Sequence, residues 1–168
     1  MKGCLSTRPR EARRPTDRLH AVLGDQLTPD VALAFEEATA AMAEAASGAV
    51  DDLLLLERLL EVADDDLLRV LGSHIRRLLT EVKAERARRD DQGHSGRLLP
   101  SGEHLLAVAA SEAYELAGPA APIGSLHVVL ALFAFGGCDT EAVLERCGID
   151  WRPLRSISRR LLGRAYDW

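Results

Sequence analysis

Apolar residues recur along the first half of the chain at the three- and four-residue spacing of one helix face, interrupted by capping and turn residues. Thr28-Pro29 opens a first helix, because a capping hydroxyl precedes a proline at the first helical position, and Gly48 ends it. A second, strongly apolar helix is predicted from Asp51 to Glu61. Asp64 and Ser73 are suited to cap a third and a fourth helix.

The same order of elements returns in the second half, after a charged, glycine-containing stretch at residues 88–97. Pro100-Ser101 opens a long helix that Gly118-Pro119 breaks, and an apolar helix follows from Leu126 to Phe135. Two further helices are predicted beyond the Gly136-Gly137 turn. The residues suited to cap the last three helices are Ser125, Asp139 and Asp150.

Matching positions in the two halves lie at a nearly constant offset. Pro29 corresponds to Pro100 and Val50 to Ile123, which places the second copy about 70 residues after the first. Because a short helix pair cannot bury its apolar faces alone, two facing copies are expected to share one core. We predict an all-α fold of eight helices, formed by two four-helix repeats with pseudo-two-fold symmetry. A flexible segment at 1–26 precedes a domain at 27–164, divided into repeat one at 27–87, a linker at 88–97 and repeat two at 98–164.

Composition and charge narrow the range of functions. Hydrophobic residues make up 47% of the 168 positions but aromatic residues only 4%, so the core must be aliphatic and helix formers dominate. The net charge of −5 argues against a nucleic-acid partner. The three cysteines are odd in number and form no C-x-x-C pair, which indicates a reducing compartment rather than disulfides or a thiolate metal site.

The start of the chain and its apolar runs bear on where the protein resides. No apolar run approaches the length that crosses a bilayer, and the first eighteen residues lack the apolar core of a secretion signal. We therefore expect a cytoplasmic protein with no membrane partner. The arginine-rich start also fits an organelle transit peptide, but Glu11 and Asp17 interrupt it and favour a disordered tail.

Several stretches resemble a known family. IGSLHVVLAL, residues 123–132, resembles the I-G-T-E-H-L-L-L-A-L signature of the Clp N-terminal repeat, found in the substrate-receiving domain of the Clp family of AAA+ unfoldases. LTPDVALAFEEA at 27–38 is similar to the start of that family's long helix, and VLERCGIDWRPL at 143–154 to the end of its short helix. AVDDLLLLERLL at 49–60 is the signature's counterpart in the first repeat, and the resemblance covers about residues 27–164.

The resemblance implies a binding module rather than a motor or an enzyme. The chain has no G-x-x-x-x-G-K-[ST] phosphate loop, no H-E-x-x-H motif and no G-x-S-x-G motif, and we expect neither a cofactor nor a metal. Such a free-standing module is expected to bind peptides, degradation tags or cyclic-peptide antibiotics, and to modulate or shield a Clp protease. The alternative is a structural docking or accessory subunit of a Clp unfoldase or protease complex.

The resemblance also implies candidate ligand-binding residues. The family's domain can read phosphoarginine once per repeat, with the start of the long helix attracting the phosphate and the signature glutamate accepting the guanidinium. Thr28 and Asp52 take these positions in repeat one, although Asp52 equally fits a plain role at its helix start. Ser101 opens the long helix of repeat two, where Leu126 replaces the glutamate and cannot accept a guanidinium. His127 is either the structural histidine of the signature or part of the ligand site.

Two arginine clusters leave three interpretations open. Solvated helix faces, docking onto an acidic partner surface, and nucleic-acid binding are all compatible with such clusters, but aromatic platforms for nucleic acid are lacking. One cluster comprises Arg152, Arg155, Arg159, Arg160 and Arg164. The candidate docking residues among them are Arg152, Arg155 and Arg159. The other cluster comprises Arg76, Arg77, Lys83, Arg86, Arg88 and Arg89.

Overall fold

The computed structural model describes residues 26–42, 49–92, 99–135 and 139–162. Within these ranges the chain forms eight α-helices and no strand, which confirms the all-α prediction. The predicted helix end at Gly48, the turn at 136–137 and the segment at 1–26, apart from Gln26, lie outside the described residues. The helices are α1 (Pro29–Ala40), α2 (Asp52–Glu61), α3 (Asp65–Leu71), α4 (His74–Gln92), α5 (Gly102–Ala117), α6 (Ser125–Phe135), α7 (Asp139–Cys147) and α8 (Arg152–Leu162).

Three helix starts depend on a side chain that accepts from a free backbone amide. The Oδ1 atoms of Asp51 and Asp64 accept from the amide three residues further on, at 2.9 and 2.8 Å. Ser101 Oγ does the same at 3.1 Å. Each bond satisfies one of the amides that have no partner in the first helical turn. The predicted starts of α2, α3 and α5 are therefore confirmed.

Helix α1 begins and ends differently from the prediction. Thr28 precedes it in an extended conformation, but its hydroxyl caps no amide, and the start depends on the proline that follows. The helix ends at Ala40, and Ala41 is its C-cap. The carbonyl of Ala38 accepts from the amide of Asp51 at 3.2 Å. Because this carbonyl would otherwise accept from an amide in the next turn of α1, the start of α2 limits the length of α1.

Helix α4 is longer than predicted. It runs for 19 residues and continues through 88–92, which the charge pattern assigns to the linker. Arg88 pairs with Glu85 one turn earlier, and Arg89 is buried against carboxylates of other helices. These contacts stabilise the last turns of the helix. Residues 88–92, which the charge pattern assigns to a linker or flexible loop, are therefore helical.

The apolar helices α2 and α6 form the centre of the molecule. Most side chains of both helices are buried. Helix α2 packs against α1, α4, α6 and α7, and α6 packs against α1, α2, α3, α5 and α7. Each fully buried leucine contributes about 1.5–3 kcal/mol relative to an exposed one. The leucines of α2 with no exposed surface are Leu53, Leu55, Leu56 and Leu59.

Short extended segments cross between the two halves of the chain. The amide of Thr28 donates to the carbonyl of Ile123 at 3.2 Å, and the amide of Ile123 donates to the carbonyl of Gln26 at 2.7 Å. The amide of Val50 donates to the carbonyl of Pro100 at 3.0 Å. The segment before α1 thus lies beside the segment before α6, and the segment before α5 lies beside the one before α2.

In the part of the chain that is described, no single helix has both the length and the apolar content needed to span a membrane. Helices α6 and α7 meet that criterion only jointly, by length and composition, and they are bent by 103° at the break between them.

Candidate functional site

The N-terminal ends of α6 and α3 meet at one carboxylate. Asp64 caps α3 through Oδ1, and its Oδ2 accepts from the amide of Ser125 at 2.9 Å. Ser125 is therefore the first residue of α6 and not its cap, because Asp64 of the other half provides the acceptor. We call Asp64, Gly124, Ser125 and His127 the open junction.

Gly124 is required by the close approach of Asp64. A Cβ atom at residue 124 would lie 2.8 Å from Asp64 Oδ2, closer than such atoms approach in proteins. A larger residue would push the carboxylate away from the amide of Ser125. The glycine of the I-G-S-L-H stretch therefore allows the contact between the two halves.

His127 holds the start of α6 in a way that depends on its charge. Its Nδ1 accepts from the amide of Gly124 at 3.0 Å, so the neutral ring carries its proton on Nε2. The residue is only 6% exposed, and Nε2 has no hydrogen-bond partner among the described residues. Burial lowers the pKa of His127, and the nearby Asp64 carboxylate opposes that shift only in part. The ring is therefore neutral near pH 7.

A cavity of about 620 Å³ lies at the open junction. The end of α5 and the loop after it form an apolar wall, and the start of α3 forms an acidic edge. Cavities of this size hold small molecules or peptide side chains. The lining residues are Thr28, Asp64, Asp65, Asp66, Ala117, Pro119, Ala120, Ala121, Pro122, Gly124, Leu126 and His127.

The negative charge of the aspartates at the acidic edge is only partly balanced by nearby basic side chains. None of the described residues that line the cavity is a lysine or an arginine. Arg69 lies 3.9 Å from Asp66, and its side chain is 59% exposed. Burial raises the pKa of Asp66, and the neighbouring carboxylates of Asp64 and Asp65 raise it further. The edge therefore favours a positively charged group.

The N-terminal ends of α2 and α7 meet in a second junction, which an arginine of the same chain fills. Arg89 of α4 donates to Asp51 at 2.8 Å, to Asp52 at 2.6 Å and to Asp139 at 2.9 Å. Thr140 donates to the second oxygen of Asp52 at 2.9 Å. Burial opposes the charge of Arg89, but the carboxylates, Asp52 foremost, raise its pKa above the usual value. We call these five residues the sealed junction.

The structure brings together two of the four predicted ligand residues. Thr28 and His127 both line the cavity of the open junction. Asp52 is only 1% exposed and is bonded within the sealed junction, so an external guanidinium would have to displace an internal one. Ser101 is exposed, and its hydroxyl caps α5. Leu126 is buried and adds an apolar contact to the cavity.

Two of the three predicted docking arginines form ion pairs within the chain. Arg155 pairs with Glu112 at 2.9 Å and with Glu115 at 2.8 Å, and Arg159 also pairs with Glu115. These pairs attach α8 to α5. Arg152 is exposed and forms no ion pair among the described residues. Of the other cluster, the members with ion pairs include Lys83, Arg86, Arg88 and Arg89.

Asp64 and Arg89 are the site residues that sequence reasoning missed. The sequence identifies Asp64 only as a cap for α3, and no local pattern indicates that it also contacts α6. A signal for Arg89 is present, because it continues the helix face that carries the buried residues Leu78 and Val82. A charged residue on a buried face indicates an internal partner.

Metal and thiol chemistry have little support in the described ranges. There, no group of three or more His, Cys, Asp or Glu side chains has an arrangement that could hold a metal ion. Cys147 is a buried free cysteine, and burial raises the pKa of its thiol, which keeps it protonated.

Comparison with known proteins adds no identity to this geometry. No family model, no curated protein and no solved structure matches the chain.

Proposed function

We propose that the chain is a cytoplasmic Clp N-terminal-like module that acts by binding and not by catalysis. It binds peptides, degradation tags or cyclic-peptide antibiotics, and it thereby modulates or shields a Clp protease. One observation carries the proposal. The cavity of the open junction is lined by Thr28, which the resemblance places at a ligand site, and by His127, for which it leaves a structural or a ligand role open.

Reciprocal contacts between the halves support a double repeat with pseudo-two-fold symmetry. In such a repeat, α1–α4 would correspond to α5–α8. The segment before α1 is hydrogen-bonded to the segment before α6, and the corresponding segments before α5 and α2 are hydrogen-bonded to each other as well. Helix α4 packs on α7 as α8 packs on α3. The open and sealed junctions exchange as well, since one joins α6 with α3 and the other joins α2 with α7.

The lining of the cavity supports a peptide as the ligand. Its wall consists of alanines, prolines and Leu126, which suits short aliphatic groups, while the aspartates of α3 offer polar contacts at the rim. Thr28 stands directly before α1, where helix amides favour an anion, and phosphoarginine is therefore a ligand to be tested.

A cavity-filling variant tests the proposal. Ala120→Trp places a large side chain on an exposed position of the lining, whereas Ala107→Trp places the same side chain on an exposed position of α5 outside the lining. Calorimetric titration with cyclic peptides, degradation-tag peptides and phosphoarginine should show at least one ligand that binds to the wild type and to Ala107→Trp. Ala120→Trp should lose it. Absence of binding for every ligand, or equal binding to both variants, would refute the proposal.

The effect on a protease is tested separately. Adding the wild-type chain to a reconstituted Clp unfoldase and protease should change the rate at which a tagged substrate is degraded. The Ala120→Trp chain should leave that rate unchanged, because it no longer competes for the ligand.

The accessory-subunit alternative is favoured by one surface feature. Arg152 and Arg160 on α8 are exposed and form no ion pair among the described residues, so they are available to an acidic partner. Replacing both with glutamate should abolish co-purification with a Clp complex while the thermal unfolding midpoint stays unchanged. Retained co-purification would exclude this surface.

A further inference from the structure

We infer that the cavity of the open junction binds a cationic side chain, arginine or lysine, of an unmodified peptide. This inference rests on the proposed peptide-binding function and names the ligand class. In this inference, the aspartates at the start of α3 bind the cation. The position of the signature glutamate, which Leu126 occupies, does not.

The sealed junction shows which group fits such an arrangement of helix ends. There, two helix starts bring carboxylates together, and a guanidinium bonds to three of them at 2.6–2.9 Å. Guanidinium groups suit this role because their donors form a rigid planar fork. The open junction presents the same kind of helix meeting, with Asp64 between the two starts, but no arginine of the described chain lines its cavity.

The three carboxylates that line the cavity differ in how many hydrogen-bond or ion-pair partners they already have. Both oxygens of Asp64 accept from backbone amides. Asp65 is exposed, and the one ion pair of Asp66 among the described residues is with Arg69 at 3.9 Å. Asp65 and Asp66 are therefore the carboxylates with capacity for a ligand cation.

The apolar wall is complementary to the stem of a long cationic side chain. Lysine and arginine place their methylene groups against apolar surface while the charged head remains among polar groups. Leu126 is 2% exposed and lines the cavity together with Ala117, Pro119 and Ala121. A leucine at this position excludes a second charge contact and favours the aliphatic stem.

His127 gives a second and independent indication of a ligand. It is buried in the lining of the cavity, and its Nε2 proton has no acceptor among the described residues. Buried donors of this kind are rare unless a partner completes them. Nε2 has almost no accessible surface, so we expect a main-chain carbonyl of a bound peptide to accept from it after the lining shifts on binding.

The test compares three peptides that differ at one residue. A fluorescein-labelled hexapeptide Ala-Pro-Ala-Arg-Ala-Ala is titrated by anisotropy against the full chain, alongside the same peptide with neutral citrulline or with phosphoarginine. The arginine peptide should bind about tenfold more tightly than the citrulline peptide, because a charge-assisted hydrogen bond is lost. The phosphoarginine peptide should also bind more weakly, because its phosphate faces aspartates.

Matched variants locate the effect. Asp65→Asn with Asp66→Asn should remove the preference for arginine over citrulline, whereas Asp90→Asn, on an exposed position of α4 outside the lining, should retain it. Equal affinity for arginine and citrulline peptides, with Ala120→Trp still abolishing both, would overturn the cationic class and leave peptide binding standing. Binding that Ala120→Trp leaves unchanged would instead refute the site itself.

Discussion

At the sealed junction, the start of α2 meets the start of α7, and at the open junction the start of α6 meets the start of α3. Both junctions place an aspartate between helix starts, and both join the two halves of the chain. They differ in what fills the space beside the aspartates. Arg89 fills the sealed junction and is 2% exposed, whereas the open junction borders a cavity of about 620 Å³.

The difference arises from the helix that ends each half. Helix α4 is 19 residues long and carries Arg89 in its last turns, while α8 is described over 11 residues and pairs its arginines with α5. The two junctions, although similar in local structure, can therefore have different roles. The sealed junction is part of the core, whereas the open junction borders a cavity.

The largest expected effect is the loss of the internal cation. Arg89→Met leaves Asp51 and Asp52 buried without their charged donor, which should lower the free energy of unfolding by about 3–5 kcal/mol in urea denaturation. Arg88→Met is the matched control, since the Arg88 side chain is 50% exposed and its loss should lower the free energy of unfolding by at most about 0.5 kcal/mol. Equal losses in the two variants would show that the sealed junction does not stabilise the fold.

The close approach at the open junction gives the next effect. Gly124→Ala should cost about 1–3 kcal/mol of stability, because its Cβ displaces the carboxylate of Asp64. In an Asp64→Ala background the same substitution should cost much less, since the clashing oxygen is absent. Additive losses in this double-mutant cycle, followed by chemical denaturation, would contradict the contact.

The charge state of His127 predicts a smaller, pH-dependent effect. Its pKa is lower in the folded chain than in the unfolded chain, so acid favours the unfolded state. The stability it contributes is present above the unfolded pKa, about 6.5, and is lost as the pH falls towards the folded pKa. The slope is at most about 1.4 kcal/mol per pH unit.

His127→Asn is the control for this titration, because an amide oxygen can accept from the Gly124 amide without binding a proton. Urea midpoints should fall more steeply below pH 6.5 for the wild type than for the variant. Parallel pH profiles would contradict the assignment.

Ion pairs on α8 give the smallest effect. Arg155→Ala should cost about 0.5–1 kcal/mol, because Glu112 is buried and loses its partner, and Arg152→Ala should be close to neutral. Thermal unfolding of both variants measures the difference. A larger loss of stability for Arg152→Ala than for Arg155→Ala would contradict the pairing.

Charge reversal at Arg155 and Arg159 is a poor test of docking. It would place negative charges beside the glutamates of α5 and so destabilise the fold itself.

Local patterns predicted the parts of the fold that local chemistry determines. The caps of α2, α3 and α5 were identified from Asp51, Asp64 and Ser101, since a side chain that accepts from its own helix needs no distant partner. The end of α1 was not predictable in this way. It depends on the amide of Asp51, which reaches the carbonyl of Ala38 only after α2 has packed.

The candidate site was predicted only in part, for the same reason. The resemblance brought Thr28 and His127 to attention, and both line the cavity. The contact of Asp64 with α6 and the burial of Arg89 both depend on packing between the two halves. Charge patterns along a sequence do not distinguish an arginine in solvent from one that a distant carboxylate will bury.

Amide chemical shifts of the ¹⁵N-labelled chain, followed during titration with the unmodified arginine peptide, compare the two junctions most directly. We expect shifts at the amides of Thr28, Gly124, Ser125 and His127, and none at those of Leu54 and Thr140. Shifts at the sealed junction with none at the open junction would contradict it.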